Sequence, residues 1–231
     1  MKRIWIAGLV SILLVGCTAA PSAENTLTGL EENVMTESMQ PDNQDTTAAA
    51  PDQLPGQLLF DFQPGDPAWG TVDDRVMGGV SQGASRVQED GTLLFAGIMS
   101  LDNNGGFSSV RSAWNPIDLS GKDGLLIRAL GDGKIYRLRV RTTETGGEIA
   151  FNSFFETQDG QWITVYIPFE TMVPTLRGFQ VPAGKLDPAT VSSLGLMLSD
   201  KQEGPFALQV DWIRAVAESE IFPDSPSAGD G

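Results

Sequence analysis

Histidine is missing from this 231-residue chain, and cysteine occurs once. Without imidazole there is no Ser-His-Asp triad, no Cys-His dyad and no histidine metal ligand. Without a second cysteine these residues can form no intrachain disulfide, no Cys-based zinc site and no dithiol redox centre. Positive charge is scarce as well: 15 Lys and Arg stand against 30 Asp and Glu, a formal net charge of -15. No basic run offers a footprint for nucleic acid, so that partner is not expected. The apolar run near the N-terminus, Ile4 to Val15, has only 12 residues, short of the roughly 20 that a membrane-spanning helix needs.

What stands in that run is a targeting signal. Lys2 and Arg3 precede it, and Leu14-Val15-Gly16-Cys17 closes it. A charged start, a short apolar stretch and small residues at the boundary make a signal peptide over residues 1–16. The closing tetrapeptide resembles a bacterial lipobox, which makes Cys17 the lipidation site and the first mature residue. Two or more acyl chains on it suffice for stable membrane anchoring. The expectation is an exported lipoprotein, held by its lipid on the outer side of a membrane in the cell envelope. Residues 18–57 then contain seven acids, no Lys, no Arg and no aromatic residue. Such a composition buries too little apolar surface to offset its ordering entropy, so residues 17–57 read as a disordered acidic linker. As a flexible coil it would reach about 35 Å. Residues 218–231 read as a second disordered tail.

Between these flanks, residues 58–217 are enough for one domain with one core. Periodicity there favours strands. Tyr136-Arg137-Leu138-Arg139-Val140-Arg141 alternates most clearly, and short apolar runs at Leu58–Phe62, Leu93–Gly97, Phe107–Arg111, Gly124–Arg128, Trp162–Ile167, Gly195–Leu198 and Phe206–Ile213 lie between Gly, Pro and Asp turn signals. No window carries a three-turn helical stripe. The expected class is all-β, an antiparallel sandwich or jelly roll.

Six stretches, in order, resemble a known family: Val76-Met77-Gly78-Gly79-Val80-Ser81, Asn103-Asn104-Gly105-Gly106-Phe107, Gly131-Asp132-Gly133-Lys134-Ile135-Tyr136, Ile167-Pro168-Phe169, Arg177-Gly178 and Leu198 through Phe206. The resemblance is to the complex I intermediate-associated protein 30 family and spans about residues 58–217. It implies a galactose-binding-like β-sandwich, similar to some carbohydrate-binding modules, with a role in assembling a membrane complex and not in catalysis.

Two groups of residues are site candidates. Asp73 and Asp74 sit beside Gly78-Gly79 and Ser81, and Asn103 and Asn104 sit beside Gly105-Gly106. Asp and Asn bond exposed turn backbone, and glycine permits positive φ. The two loops therefore read either as a structural corner or as one site for a ligand or protein partner. Asp and Asn oxygens also suit a structural calcium ion, but the spacing is not that of an EF-hand. No other cofactor is expected. Carboxylates at Asp73, Asp74, Asp102 and Asp132 are formally available for glycoside hydrolysis, though acids near glycines are more often turn residues. The second candidate is the row Arg137, Arg139 and Arg141, which shares one strand face. If that strand lies beside Trp162 and Tyr166, guanidinium and aromatic groups would line a groove for sugars or anions. The alternative is a solvated face whose arginines pair with nearby acids. Trp69, Trp114 and Trp212 read as core or rim packing. The function these residues suggest is a lipid-anchored, non-catalytic domain binding a protein partner, with an envelope glycan as the alternative.

Overall fold

The computed structural model describes residues 54–66 and 68–223. The expectations for the signal peptide, Cys17, most of the linker and the end of the tail lie outside the described residues. Thirteen strands succeed one another in those residues: β1 (Gln57–Phe60), β2 (Gly70–Asp73), β3 (Gln82–Val87), β4 (Leu93–Met99), β5 (Ser108–Arg111), β6 (Gly124–Leu130), β7 (Ile135–Thr142), β8 (Ala150–Glu156), β9 (Trp162–Pro168), β10 (Val173–Leu176), β11 (Phe179–Gln180), β12 (Val191–Leu198) and β13 (Gly204–Val216). All their pairings are antiparallel.

Two sheets result. One has six strands in the order β3-β4-β13-β6-β9, with β1 also pairing to β13; the other has seven in the order β11-β10-β8-β7-β12-β5-β2. This is the antiparallel jelly-roll sandwich expected of the sequence. Alternation in β7 decides which side faces in: Tyr136, Leu138 and Val140 are fully buried, while Arg137, Arg139 and Arg141 keep contact with solvent. The core takes Leu93, Phe95, Leu125, Ile127, Leu208 and Ile213 from the six-stranded sheet, and Val110, Leu138, Leu194, Leu196 and Leu198 from the seven-stranded one. Cutting any of these Leu or Ile side chains to Ala would cost about 2–5 kcal/mol. The Tyr136 hydroxyl, buried among them, donates to Asp132 Oδ1 at 3.0 Å. Burial, and then the charge and hydrogen bond of Asp132, push this phenol far above the usual tyrosine range.

A smaller cluster of Leu126, Trp212 and Val216 is covered by Leu54, Tyr166 and Ile221. This shortens both expected disordered flanks. At the front, Arg214 donates to the carbonyls of Leu54, Pro55 and Gly56. At the back, the expected tail instead begins with a helical turn, α1 (Glu218–Ile221). Its first amide donates to Asp123, the Ala217 N–H donates to Glu220, and Lys122 pairs with Glu220 at 3.0 Å. Polar capping, together with apolar contact from Ile221 and Phe222, holds the turn down.

Candidate partner-binding surfaces

The Gly-Gly loops form one corner, and Asp74 is its centre. The residue has no solvent exposure. Its Oδ1 accepts the Ser81 N–H at 3.0 Å, and its Oδ2 accepts the Ser81 hydroxyl at 2.6 Å and the Gly106 and Phe107 amides at 2.7 and 3.3 Å. The Ser81 hydroxyl also accepts the Ser100 N–H at 3.0 Å. Burial opposes the charge on Asp74, but the Ser81, Gly106 and Phe107 donors outweigh it and hold the carboxyl below the ordinary range.

Within each glycine pair the two members have different tasks. Gly78 and Gly106 carry left-handed φ values of 93° and 127°. Gly79 and Gly105 leave room for the carboxylate: a Cβ on Gly79 would lie 2.4 Å from Asp74 Cγ, and one on Gly105 would lie 2.6 Å from Asp74 Oδ2. Asp73 ties the next layer, accepting the Gly83 N–H at 3.1 Å and the Ser108 hydroxyl at 2.6 Å. Asn103 and Asn104, with φ of 55° and 59°, turn the second loop and stay exposed.

The loops thus meet, but Asp74 and Ser81 face each other and the backbone, so neither is available for direct contact with a partner. The carboxylate is ringed by N–H and O–H donors, an environment that repels a cation, which removes the reason to expect calcium there. Asp132 is similarly engaged, by Lys134 and Ala207 amides and the Tyr136 hydroxyl. Beside the exposed Arg75, Asn103 and Asn104, the corner presents apolar side chains: Val76 is 72% and Met77 65% exposed.

The outward side of the seven-stranded sheet carries the second surface. In register, Arg139 on β7 lies opposite Gly195 on β12, which lies opposite Arg111 on β5; one row further, Arg141 lies opposite Ser193. Arg137 pairs with Asp200 at 2.6 Å and stacks 4.4 Å from the Phe154 ring centre. Arg139 and Arg141 are anchored through Nε alone. Arg139 donates to Asn152 Oδ1 at 2.9 Å, and Arg141 donates to the Gly147 carbonyl at 3.0 Å. Burial, then Arg137 and Arg111, bring Arg139 down to about 10; burial, then Arg139 and Arg111, bring Arg141 down to about 9. Both remain cationic at neutral pH.

Trp162 and Tyr166 do not join this surface, contrary to the expected groove. They lie on β9, which pairs with β6 in the other sheet. There Trp162 stacks under Arg128, 5.2 Å from guanidinium carbon to ring centre, and Tyr166 packs edge-on against Phe222. The aromatics beside the arginine row are Phe154, under Arg137, and Trp114, 51% exposed and lying over Gly147, where a Cβ would come within 2.4 Å of its ring. Arg111, Trp114, Asn152, Ser193 and Gly195 escaped the sequence reading. Only the pairing register brings them beside Arg139 and Arg141. Trp69 and Trp212 are buried, as expected.

Fold and surfaces define a β-sandwich domain whose candidate sites are a rigid loop corner and an open sheet face. The chain belongs to the Complex I intermediate-associated protein 30 (CIA30) family, whose sequence model matches residues 59–210. Its fold is similar to the family 11 carbohydrate-binding module from Clostridium thermocellum in complex with a β-1,3-1,4-mixed-linked tetrasaccharide, at 19% identity over 71% of this chain and 96% of that one, with a TM-score of 0.53. The family 11 module of the cellulosomal cellulase Lic26A-Cel5E of the same organism is similar at 18% identity, over 71% of this chain and 95% of that one, also with a TM-score of 0.53. A comparison with curated proteins finds no match.

Proposed function

We propose that this is a non-catalytic protein-docking domain, held to a membrane through lipid on Cys17, that helps assemble a membrane complex of the kind named by its family. The observation that carries this reading is the corner. Asp74 locks two loops together, and the locked corner displays Val76 and Met77 to solvent. Apolar side chains on a preorganised backbone lose little entropy on docking, which suits them to anchor a partner. An exported anchor confines that partner to surfaces on the outer side of the membrane.

The test is capture from detergent-solubilised membranes with the full chain. One membrane complex should be enriched, and a Val76→Asp, Met77→Asp double variant should lose it while melting within a few degrees of the parent. Equal enrichment by parent and variant would refute the corner as the docking point. Intact mass of the extracted protein tests the anchor: acyl chains belong on Cys17, and an unmodified mature N-terminus elsewhere refutes it.

A second reading, a module for an envelope glycan, is favoured by one observation. Trp114 offers an exposed ring beside the backbone that anchors Arg141, and sugars stack on such rings. Glycan binding abolished by Trp114→Ala, with no complex captured, would replace the first reading with this one.

A further inference from the structure

Besides Arg137, which Asp200 engages, the outward face of β5, β12 and β7 holds three guanidinium groups with no carboxylate paired to them. The Arg111 guanidinium makes no hydrogen bond or ion pair among the described residues, while those of Arg139 and Arg141 meet only the amide oxygen of Asn152 and the carbonyl of Gly147. Like charges gathered on one face, with Arg139 and Arg141 partly buried, oppose folding unless something offsets them. Yet the arrangement is built rather than loose. Asn152, 5% exposed, donates to the Thr175 hydroxyl at 2.7 Å and to the Ala150 carbonyl at 2.6 Å, which aims its amide oxygen at Arg139. Because both arginines are tied by Nε, their terminal nitrogens stay free to donate side by side, the geometry in which guanidinium holds a carboxylate.

An independent observation points the same way. Ser193, 3% exposed, lies on this face opposite Arg141, and its hydroxyl has no hydrogen-bond partner. A buried hydroxyl without a partner costs free energy that an arriving acceptor would recover. Between Arg139 and Arg111 stands Gly195, so no side chain separates the two guanidinium groups across the strands.

We propose that Arg111, Arg139, Arg141 and Ser193 form an oxyanion site that takes carboxylates from an extended acidic segment of the partner protein. Spacing favours a segment over a single small anion. Arg139 and Arg141 stand two residues apart on one strand, about 7 Å, which is also the spacing of alternate side chains on an extended peptide. Arg111 lies two strands from Arg139, about 10 Å away, so the three cations spread wider than one phosphate. The proposal rests on the protein-docking reading and supplies the chemistry of a second contact outside the apolar corner.

Hexaglutamate titrated calorimetrically into the full chain tests it. Binding should weaken as salt is raised, and Arg111→Gln and Arg139→Gln should each lower affinity by about tenfold. Arg111 is exposed, so its replacement leaves the fold intact. Ser193→Ala should weaken binding and at the same time raise the melting temperature of the free protein, a pairing that a purely structural serine would not give. If inorganic phosphate binds and hexaglutamate does not, the cluster holds an adventitious ion only and the proposal falls. If an oligogalacturonate binds in place of hexaglutamate, the oxyanion site stands but its assigned occupant is wrong, and the protein-docking reading loses ground to the glycan one. If no anion binds, the site is refuted while capture through Val76 and Met77 remains a separate measurement.

Discussion

Replacing Asp74 with Ala removes four hydrogen bonds at once, and the consequence can be worked from the corner. The Ser81 N–H and the Gly106 and Phe107 amides would lose their acceptor. Bonds to a charged acceptor contribute about 1.5–3 kcal/mol each, and a buried donor left without one costs about 1–3 kcal/mol. Because the three amides share one carboxylate the losses do not add, and the whole change is about 3–5 kcal/mol. Against a domain stability of about 5–15 kcal/mol, the variant still folds in part. Its melting temperature should fall by roughly 6–20 °C, and its urea midpoint should shift with little change in slope. Asp74→Asn adds a pH signature. The native carboxyl is held below the ordinary 3.8, so it contributes stability that is fully present above that value. The contribution fades as pH falls through the lowered native value. The gap between parent and Asp74→Asn should therefore be wide at pH 7 and close in acid. A Asp74→Ala protein within 0.5 kcal/mol of the parent, or a gap that does not move with pH, would refute the account of Asp74 as the charged clasp of the corner.

Two further changes probe the same logic. Gly79→Ala places a methyl against Asp74 Cγ, where the space allows 2.4 Å; it should cost about 1–3 kcal/mol in urea unfolding. In an Asp74→Ala background that cost should largely vanish, and a coupling energy near zero in the double-mutant cycle would show that the contact is not what excludes a side chain there. Tyr136→Phe deletes the buried hydroxyl's bond to Asp132 and should cost about 1.5–3 kcal/mol by the same measurement, with an unchanged value implying that Asp132 finds no use for the phenol.

The sequence declared the sandwich because its core strands repeat with period two or run apolar between turn residues. The strands it hid are those whose signal comes from position rather than pattern. β3, Gln82–Val87, is Gln-Gly-Ala-Ser-Arg-Val and lies at a sheet edge, where one side needs no burial. β10 contains Pro174, which argues against a strand until its place next to the sheet edge is known. In β8, Phe151 and Phe155 point inward while Phe154 points out, so the run of aromatics blurs its own alternation. The Gly-Gly loops were legible as a pair, since Asp and Gly at those spacings demand unusual backbone. That one carboxylate served both loops was not, because Ser81, Gly106 and Phe107 converge on Asp74 only through the fold. The arginine row was visible on β7, but Arg111 and Ser193 reach it only through β12. Trp162 and Tyr166 failed to join it because adjacency in sequence says nothing about which sheet a strand enters.

Acids and bases in this domain do different work, and that difference explains how a negatively charged domain comes to carry a positive face. Aspartates are used as acceptors for backbone amides: Asp73 for Gly83, Asp74 for Ser81, Gly106 and Phe107, Asp118 for Ser120, Asp123 for Glu218, Asp132 for Lys134 and Ala207, and Asp187 for Ala189. A carboxylate committed to N–H donors at a turn cannot also reach the middle of a sheet face to neutralise an arginine. Lys122 and Arg137 find acidic partners near turns, and Arg128 meets Asp211, a carboxylate on the neighbouring strand of the six-stranded sheet. Arg139 and Arg141, placed at the centre of the seven-stranded sheet by strand alternation, meet only neutral oxygens. Turn chemistry holds the corner that displays Val76 and Met77, and by engaging the aspartates it leaves the arginine face open to a carboxylate from outside. The rigid apolar corner and the unneutralised cations therefore follow from one allocation of charge, and both suit the docking role we propose.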